Sequence, residues 1–336
     1  MRVLKLIKTL KMPYLFLQIV VGTLFISGGL PRITWAAELR KIQVVATVGM
    51  LSDLVANIGG DDITVKGIMG PGVDPHLYKP NRDDVQILMN ADIIFYVGHH
   101  LEGRMGDALS RLAKSKRVVP VGERLSESQL LRAGDTGDEV DPHLWMDVGL
   151  WSQLIQIVVE ELSKVSGESA DSFRSRGDLY HQSLMEVDRA IKEAISSIPE
   201  KQRVLVTSHD AFRYFGEAYN VEVLGIQGIS TESEAGAGDI IRLVNMLVER
   251  HVPAIFVEST VAKKNIEALA EGAMAQGHNL KIGGELFADA MGTRGTELGT
   301  YRGMMLSNGI KITQALGGDA LMLIQLCKTP MCGINL

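Results

Sequence analysis

Apolar residues along the chain fall into two periodicities that alternate. Val44 to Val48, Ile63 to Ile68 and Ile93 to Val97 are short apolar runs bounded by turn residues and predict strands. Leu51 to Ile58 and Leu101 to Leu112 carry apolar residues at helical spacing between them. The same alternation restarts later, with strands predicted at Val204 to Thr207, Val221 to Leu224 and Ala254 to Val257, and helices near Ile240 to Glu249 and Ala262 to Gln276. Strand and helix taken in turn indicate an α/β protein, and the restart indicates two such units. Between them, residues 168 to 197 lack Pro and contain one Gly, Gly177, while Leu179, Leu184, Val187, Ile191 and Ile195 recur at helical spacing. This stretch predicts one long helix as the connection, which is stiffer than a Gly/Ser linker and leaves little room for wide hinge motion. Ligands of such proteins bind in the cleft between the units.

The N-terminus does not fit either unit. Arg2, Lys5, Lys8 and Lys11 precede an almost uncharged run from Tyr14 to Leu30, followed by small residues at Ala36 and Ala37. Positive, apolar and small in that order predict a secretory signal over residues 1–36, with a retained membrane anchor as the alternative. No cysteine is present there to accept a lipid. The expected organisation is therefore a signal at 1–36, an N-terminal lobe at 37–166, a linking helix at 167–199 and a C-terminal lobe at 200–336.

Composition narrows the function. The chain has 336 residues, 46% hydrophobic and 22% charged, which is ample for a buried core and excludes wholesale disorder. Loss of residues 1–36 would remove five positive charges and no acidic ones, taking the net charge from −6 to −11. An acidic body argues against nucleic-acid partners and is compatible with attracting cations. Cys327 and Cys332, at the extreme C-terminus, are better placed to staple the terminus than to hold a metal.

Candidate chemistry lies in four loops. Asp-Pro-His-Leu occurs at Asp74 to Leu77 and again at Asp141 to Leu144. In each, the proline restrains the backbone before the imidazole, and the aspartate can cap the loop or accept from a ring N–H. His209 follows the strand Val204 to Thr207, at the edge of an open α/β sheet that faces the ligand crevice. Asp289 holds a comparable place after a short strand around Lys281 and Ile282. Successive candidates are 67, 66 and 80 residues apart, far from the short spacings of a zinc finger, so spacing does not unite them. His99 and His100 are adjacent, point in different directions and are expected to supply no ligand, while His181, His251 and His278 have no evident partners.

Asp74-Pro75-His76-Leu77-Tyr78, Asp141-Pro142-His143-Leu144-Trp145, Ser208-His209-Asp210-Ala211-Phe212 and Gly284-Glu285-Leu286-Phe287-Ala288-Asp289 together resemble the metal-specific solute-binding proteins of ATP-binding-cassette importers, most nearly the TroA-type branch. The likeness extends to Gly225-Ile226-Gln227-Gly228-Ile229-Ser230-Thr231, Pro253 to Ser259 and Gly299 to Met305, which carry no candidate ligand. It implies two pseudo-symmetric α/β lobes joined by one rigid helix. One zinc or manganese ion would be bound in the interlobe cleft by His76 and His143 from one lobe and by His209 and Asp289 from the other.

The resemblance further implies a periplasmic monomer that hands the ion to a membrane permease. Three imidazoles and a carboxylate favour zinc over manganese on affinity, and His209 stands where manganese-dedicated relatives usually have a carboxylate. Many relatives are lipoproteins, which residues 1–36 do not provide for, and residues 77–142 lack the long His-rich loop common in zinc-dedicated members. Two other readings are an adhesin or scaffold that carries a metal, and a zinc hydrolase. The hydrolase reading requires an open coordination position and a base, for which Glu258 and Glu285 are the nominees. No His-Glu-x-x-His or Gly-x-Ser-x-Gly motif supports it.

Overall fold

The computed structural model describes residues 40–133, 139–233 and 236–327. The predicted signal over residues 1–36, and Cys332, lie outside the described residues. In chain order the first lobe contains β1 (Ile42–Ala46), α1 (Gly49–Gly59), β2 (Ile63–Gly67), α2 (Arg82–Asn90), β3 (Ile93–Tyr96), α3 (Gly106–Leu112), β4 (Arg117–Pro120), β5 (Arg132–Ala133), β6 (Glu139–Val140), α4 (Val148–Ser152) and α5 (Leu154–Val165). The connection is α6 (Ala170–Ser196). The second lobe contains β7 (Val204–His209), α7 (Arg213–Tyr219), β8 (Glu222–Gln227), α8 (Ala237–Glu249), β9 (Ala254–Glu258), α9 (Lys264–Ala275), β10 (Lys281–Leu286), α10 (Tyr301–Ala315) and α11 (Leu321–Leu326).

The first sheet runs β2-β1-β3-β4, parallel throughout. In the second lobe β8 pairs with β7 and β10 with β9, both parallel, and β7 lies beside β9, so the same strand order recurs. The inner strands β1, β3, β7 and β9 are covered on both faces, which is why they read as nearly continuous apolar runs, while the outer strands β2, β8 and β10 are partly exposed. The two-residue period of a strand is nevertheless visible in what each residue meets. Val204, Val206, Ile255 and Val257 pack with α8 and α9, while Leu205, Ala254 and Phe256 turn the other way, into a core shared with the first lobe.

The 27 residues of α6 span about 40 Å. Its buried face is Phe173, Gly177, Tyr180, Leu184, Val187, Ile191 and Ala194, alternating steps of four and three. Leu179, counted in the sequence as part of the apolar stripe, points away and is 63% exposed. One side of α6 packs on α1 and α5, and further along on α10 and α11. Gly177 is where α5 comes nearest, since a β-carbon there would lie 3.0 Å from Ile155 Cγ2 and 3.1 Å from Val159 Cγ2. The helix is thus part of the core of both lobes.

The predicted helix at Leu101 to Leu112 begins only at Gly106. Gly98, His99 and His100 have φ of 89°, 52° and 62°, a left-handed run that turns the chain at the end of β3 before α3 can form. Among the described residues no helix is long and apolar enough to cross a membrane.

Candidate metal centre

The carboxyl ends of the strands in both sheets face the same cleft, as open α/β sheets arrange their ligand crevices. His76 lies on the loop after β2, His143 on the turn after β6, His209 is the last residue of β7, and Asp289 follows β10. These are the four residues singled out from the sequence. Each offers one ligand atom such that all four atoms lie within 4.8 Å of one another.

His76 Nε2 is 3.4 Å from His143 Nε2 and 3.4 Å from Asp289 Oδ2. His143 Nε2 is 3.4 Å from Asp289 Oδ1, and His209 Nε2 is 3.3 Å from Asp289 Oδ2. All four residues are buried, with 4% exposure at most, for His76. His99 and His100 are not part of the group, and neither are His181, His251 and His278.

Each imidazole is aimed by an acid or by its backbone. Asp141 Oδ1 accepts from the His143 backbone N–H at 3.0 Å and from its ring Nδ1 at 2.8 Å, leaving Nε2 to face the group. Glu258, at the end of β9, does the same for His209, accepting from its backbone N–H at 2.9 Å and from ring Nδ1. Asp74 caps only the backbone, accepting from the His76 N–H at 2.9 Å. The sequence reading anticipated Asp74 and Asp141 from their place in the repeated tetrapeptide. Glu258 stands out in the sequence only as a nominee for a base, because no local pattern links β9 to β7. Glu285, the other nominee for a base, is half-exposed and 3.2 Å from Lys263.

The centre is electrostatically tense without a cation. Burial raises the Asp289 carboxyl, but the His209 and His143 rings outweigh it and hold it well below the ordinary carboxylate range. Burial likewise disfavours a charged His143, yet Asp289 and Asp141 beside it raise its pKa to about 9. Burial works against a charge on His209 too, and Glu258 and Asp289 overcome it and raise that ring well above its ordinary value. Even so, those contacts of 3.3–3.4 Å fall short of hydrogen-bond geometry at both oxygens of Asp289 and at Nε2 of His209, and these buried atoms have no other hydrogen-bond partner. Buried polar atoms without partners are rare because desolvation then goes uncompensated. Three ring nitrogens and a carboxylate converging on one point fit a divalent transition-metal ion, and zinc and manganese are both suited to such a set.

Comparison with known proteins identifies the family. Residues 44–315 match the family model described as zinc-uptake complex component A periplasmic. The chain is 47% identical over 281 residues to the zinc-binding protein TroA of Treponema pallidum, covering 84% of this chain and 91% of that protein. It is 44% identical over 277 residues to the manganese-binding lipoprotein MntA of Bacillus subtilis, covering 82% and 90%. Superposition on the solved periplasmic zinc-binding TroA gives a TM-score of 0.80 at 47% identity, covering 82% of this chain and 99% of that one. The chain belongs to the zinc-uptake complex component A family of periplasmic metal-binding proteins.

Proposed function

We propose that this protein binds one divalent transition-metal ion outside the cytoplasmic membrane through His76, His143, His209 and Asp289, and delivers it to the permease of an ATP-binding-cassette importer. The observation that carries the reading is the convergence of four buried ligand atoms, two from each lobe, with Asp289 otherwise unpaired. Zinc is the favoured cargo, because a three-imidazole site ranks it above manganese in affinity. Residues 1–36 serve as the export signal, 37–166 and 200–336 form the lobes, 167–199 join them, and the protein acts as a monomer.

Transport is favoured over hydrolysis because four protein ligands close a tetrahedral zinc. Glu258, one of the two nominees for a base, is committed to His209 and is not free to act as one.

Elemental analysis of the protein taken from its exporting cells, followed by competition between zinc and manganese, tests the reading. One equivalent of metal is expected, displaced by zinc in preference to manganese and lost in Asp289→Ala with the fold unchanged. A metal-free protein, or an Asp289→Ala variant of unaltered affinity, would overturn it.

A further inference from the structure

Both histidines of the first lobe are held from the second. Asp74, which caps the His76 backbone through Oδ1, accepts the Thr231 hydroxyl through Oδ2 at 2.6 Å, a contact between residues 157 apart in sequence. Thr231 belongs to the segment between β8 and α8, in the other lobe. Asp141, which orients His143 through Oδ1, has the Arg213 guanidinium of α7 3.7 Å from its Oδ2, and its carbonyl accepts from the Tyr214 hydroxyl at 3.0 Å. Arg213 also donates to the carbonyl of Arg132 at 2.6 Å. The carboxylate behind each of these histidines thus touches its ligand with one oxygen and the opposite lobe with the other.

Thr231 is flanked in the chain by Ser230 and Glu232, which border an opening onto the centre. A cavity of about 380 Å³ reaches His76 and is lined by Arg104, Ser230 and Glu232 among others. The weak ion pair Arg104–Glu232, 3.9 Å between half-exposed groups, crosses the same opening. A carboxylate that caps a backbone N–H alone can still rotate about its Cβ–Cγ bond. A second, charge-assisted hydrogen bond fixes that rotation and with it the turn that presents the imidazole.

We infer that Thr231 is a positioning residue for His76: its hydrogen bond to Asp74 forms when the lobes close on the ion, and its loss on opening loosens a ligand of the first lobe together with those of the second. This rests on the proposed metal-binding function. The bond is made only in the closed state, so it slows dissociation and leaves association unchanged.

The test uses zinc alone. The full chain is loaded with zinc and mixed with excess chromophoric chelator, and association is followed separately, for the wild type, Thr231→Val, Thr231→Ser, Asp74→Ala and the Thr231→Val/Asp74→Ala double variant. Thr231→Val is expected to release zinc about tenfold faster with an unchanged association rate, as loss of one hydrogen bond to a charged group implies. Thr231→Ser should restore slow release. In the Asp74→Ala background the valine should add nothing. Equal release from wild type and Thr231→Val, or the same acceleration by valine with Asp74 already removed, overturns the inference while one zinc per wild-type chain leaves the metal-binding function standing. A wild type that takes up no zinc overturns both.

Discussion

A single carboxylate, Asp289, meets all three imidazoles, and its oxygens have no other partner. The orienting acids matter next, because a histidine ligand is only as well placed as the group holding its far nitrogen. Glu258→Gln keeps the volume and removes the charge that faces His209 from behind, so metal affinity is expected to fall about tenfold to a hundredfold with secondary structure retained. Chelator competition followed in parallel with circular dichroism measures both, and an undiminished affinity would show that Glu258 does not tune the ligand. At this scale the sequence was informative where a motif is local: Asp74 and Asp141 stand two residues before the rings they serve. Glu258 and Thr231 reach the site only through the fold, 49 and 157 residues from their partners, and no pattern in the chain could pair them.

Among the elements, the inner strands were legible because strands covered on both faces leave nearly continuous apolar runs. The long helix was legible because its buried face keeps a helical period, although Leu179 belongs to the opposite side. By contrast α10 is buried on nearly every side, so it has no polar face and no period to betray it. One element junction carries a pH-dependent clamp. Glu161 of α5 is 2.6 Å from Arg117 of β4, 2.8 Å from Arg124 and 2.7 Å from Lys164. Burial would raise this carboxyl, but Lys164, Arg124 and Arg117 bring it down to about 2. A depressed folded-state pKa means stability that is present above the unfolded value near 4.3 and is lost as pH falls through 4 toward 2. With the basic partners half-exposed and screened by solvent, Glu161→Gln is expected to cost about 1–2 kcal/mol at pH 7 and only a small part of that near pH 2. Urea denaturation at the two pH values checks it, and a difference undiminished at low pH would show the loss to be one of packing.

For the molecule as a whole, an ion that joins ligands from two lobes binds the folded chain and not the unfolded one. Zinc at a thousand times its dissociation constant should therefore add about 4 kcal/mol of stability, on the order of 10 °C in melting temperature. Asp289→Ala should lose most of that increment while melting normally without metal. Differential scanning calorimetry with and without zinc reads both, and an equal rise in the variant would place the stabilising ion elsewhere.

The helix α6 bears on how this protein comes apart. Its buried column belongs to one hydrophobic core that runs from α1 and α5 to α10 and Phe256, whereas only the layer of α8 and α9 has a separate core. The two lobes look like modules in outline but are not autonomous folding units, because each lacks a wall when α6 is taken away. Heating should produce one cooperative transition, with the calorimetric and van't Hoff enthalpies equal, and not a melting of lobe after lobe. Amides in α8 and α9 should exchange with solvent before those of α6, and when the chain is split between α6 and β7 the C-terminal fragment, which loses α6, should gain structure only when mixed with the other.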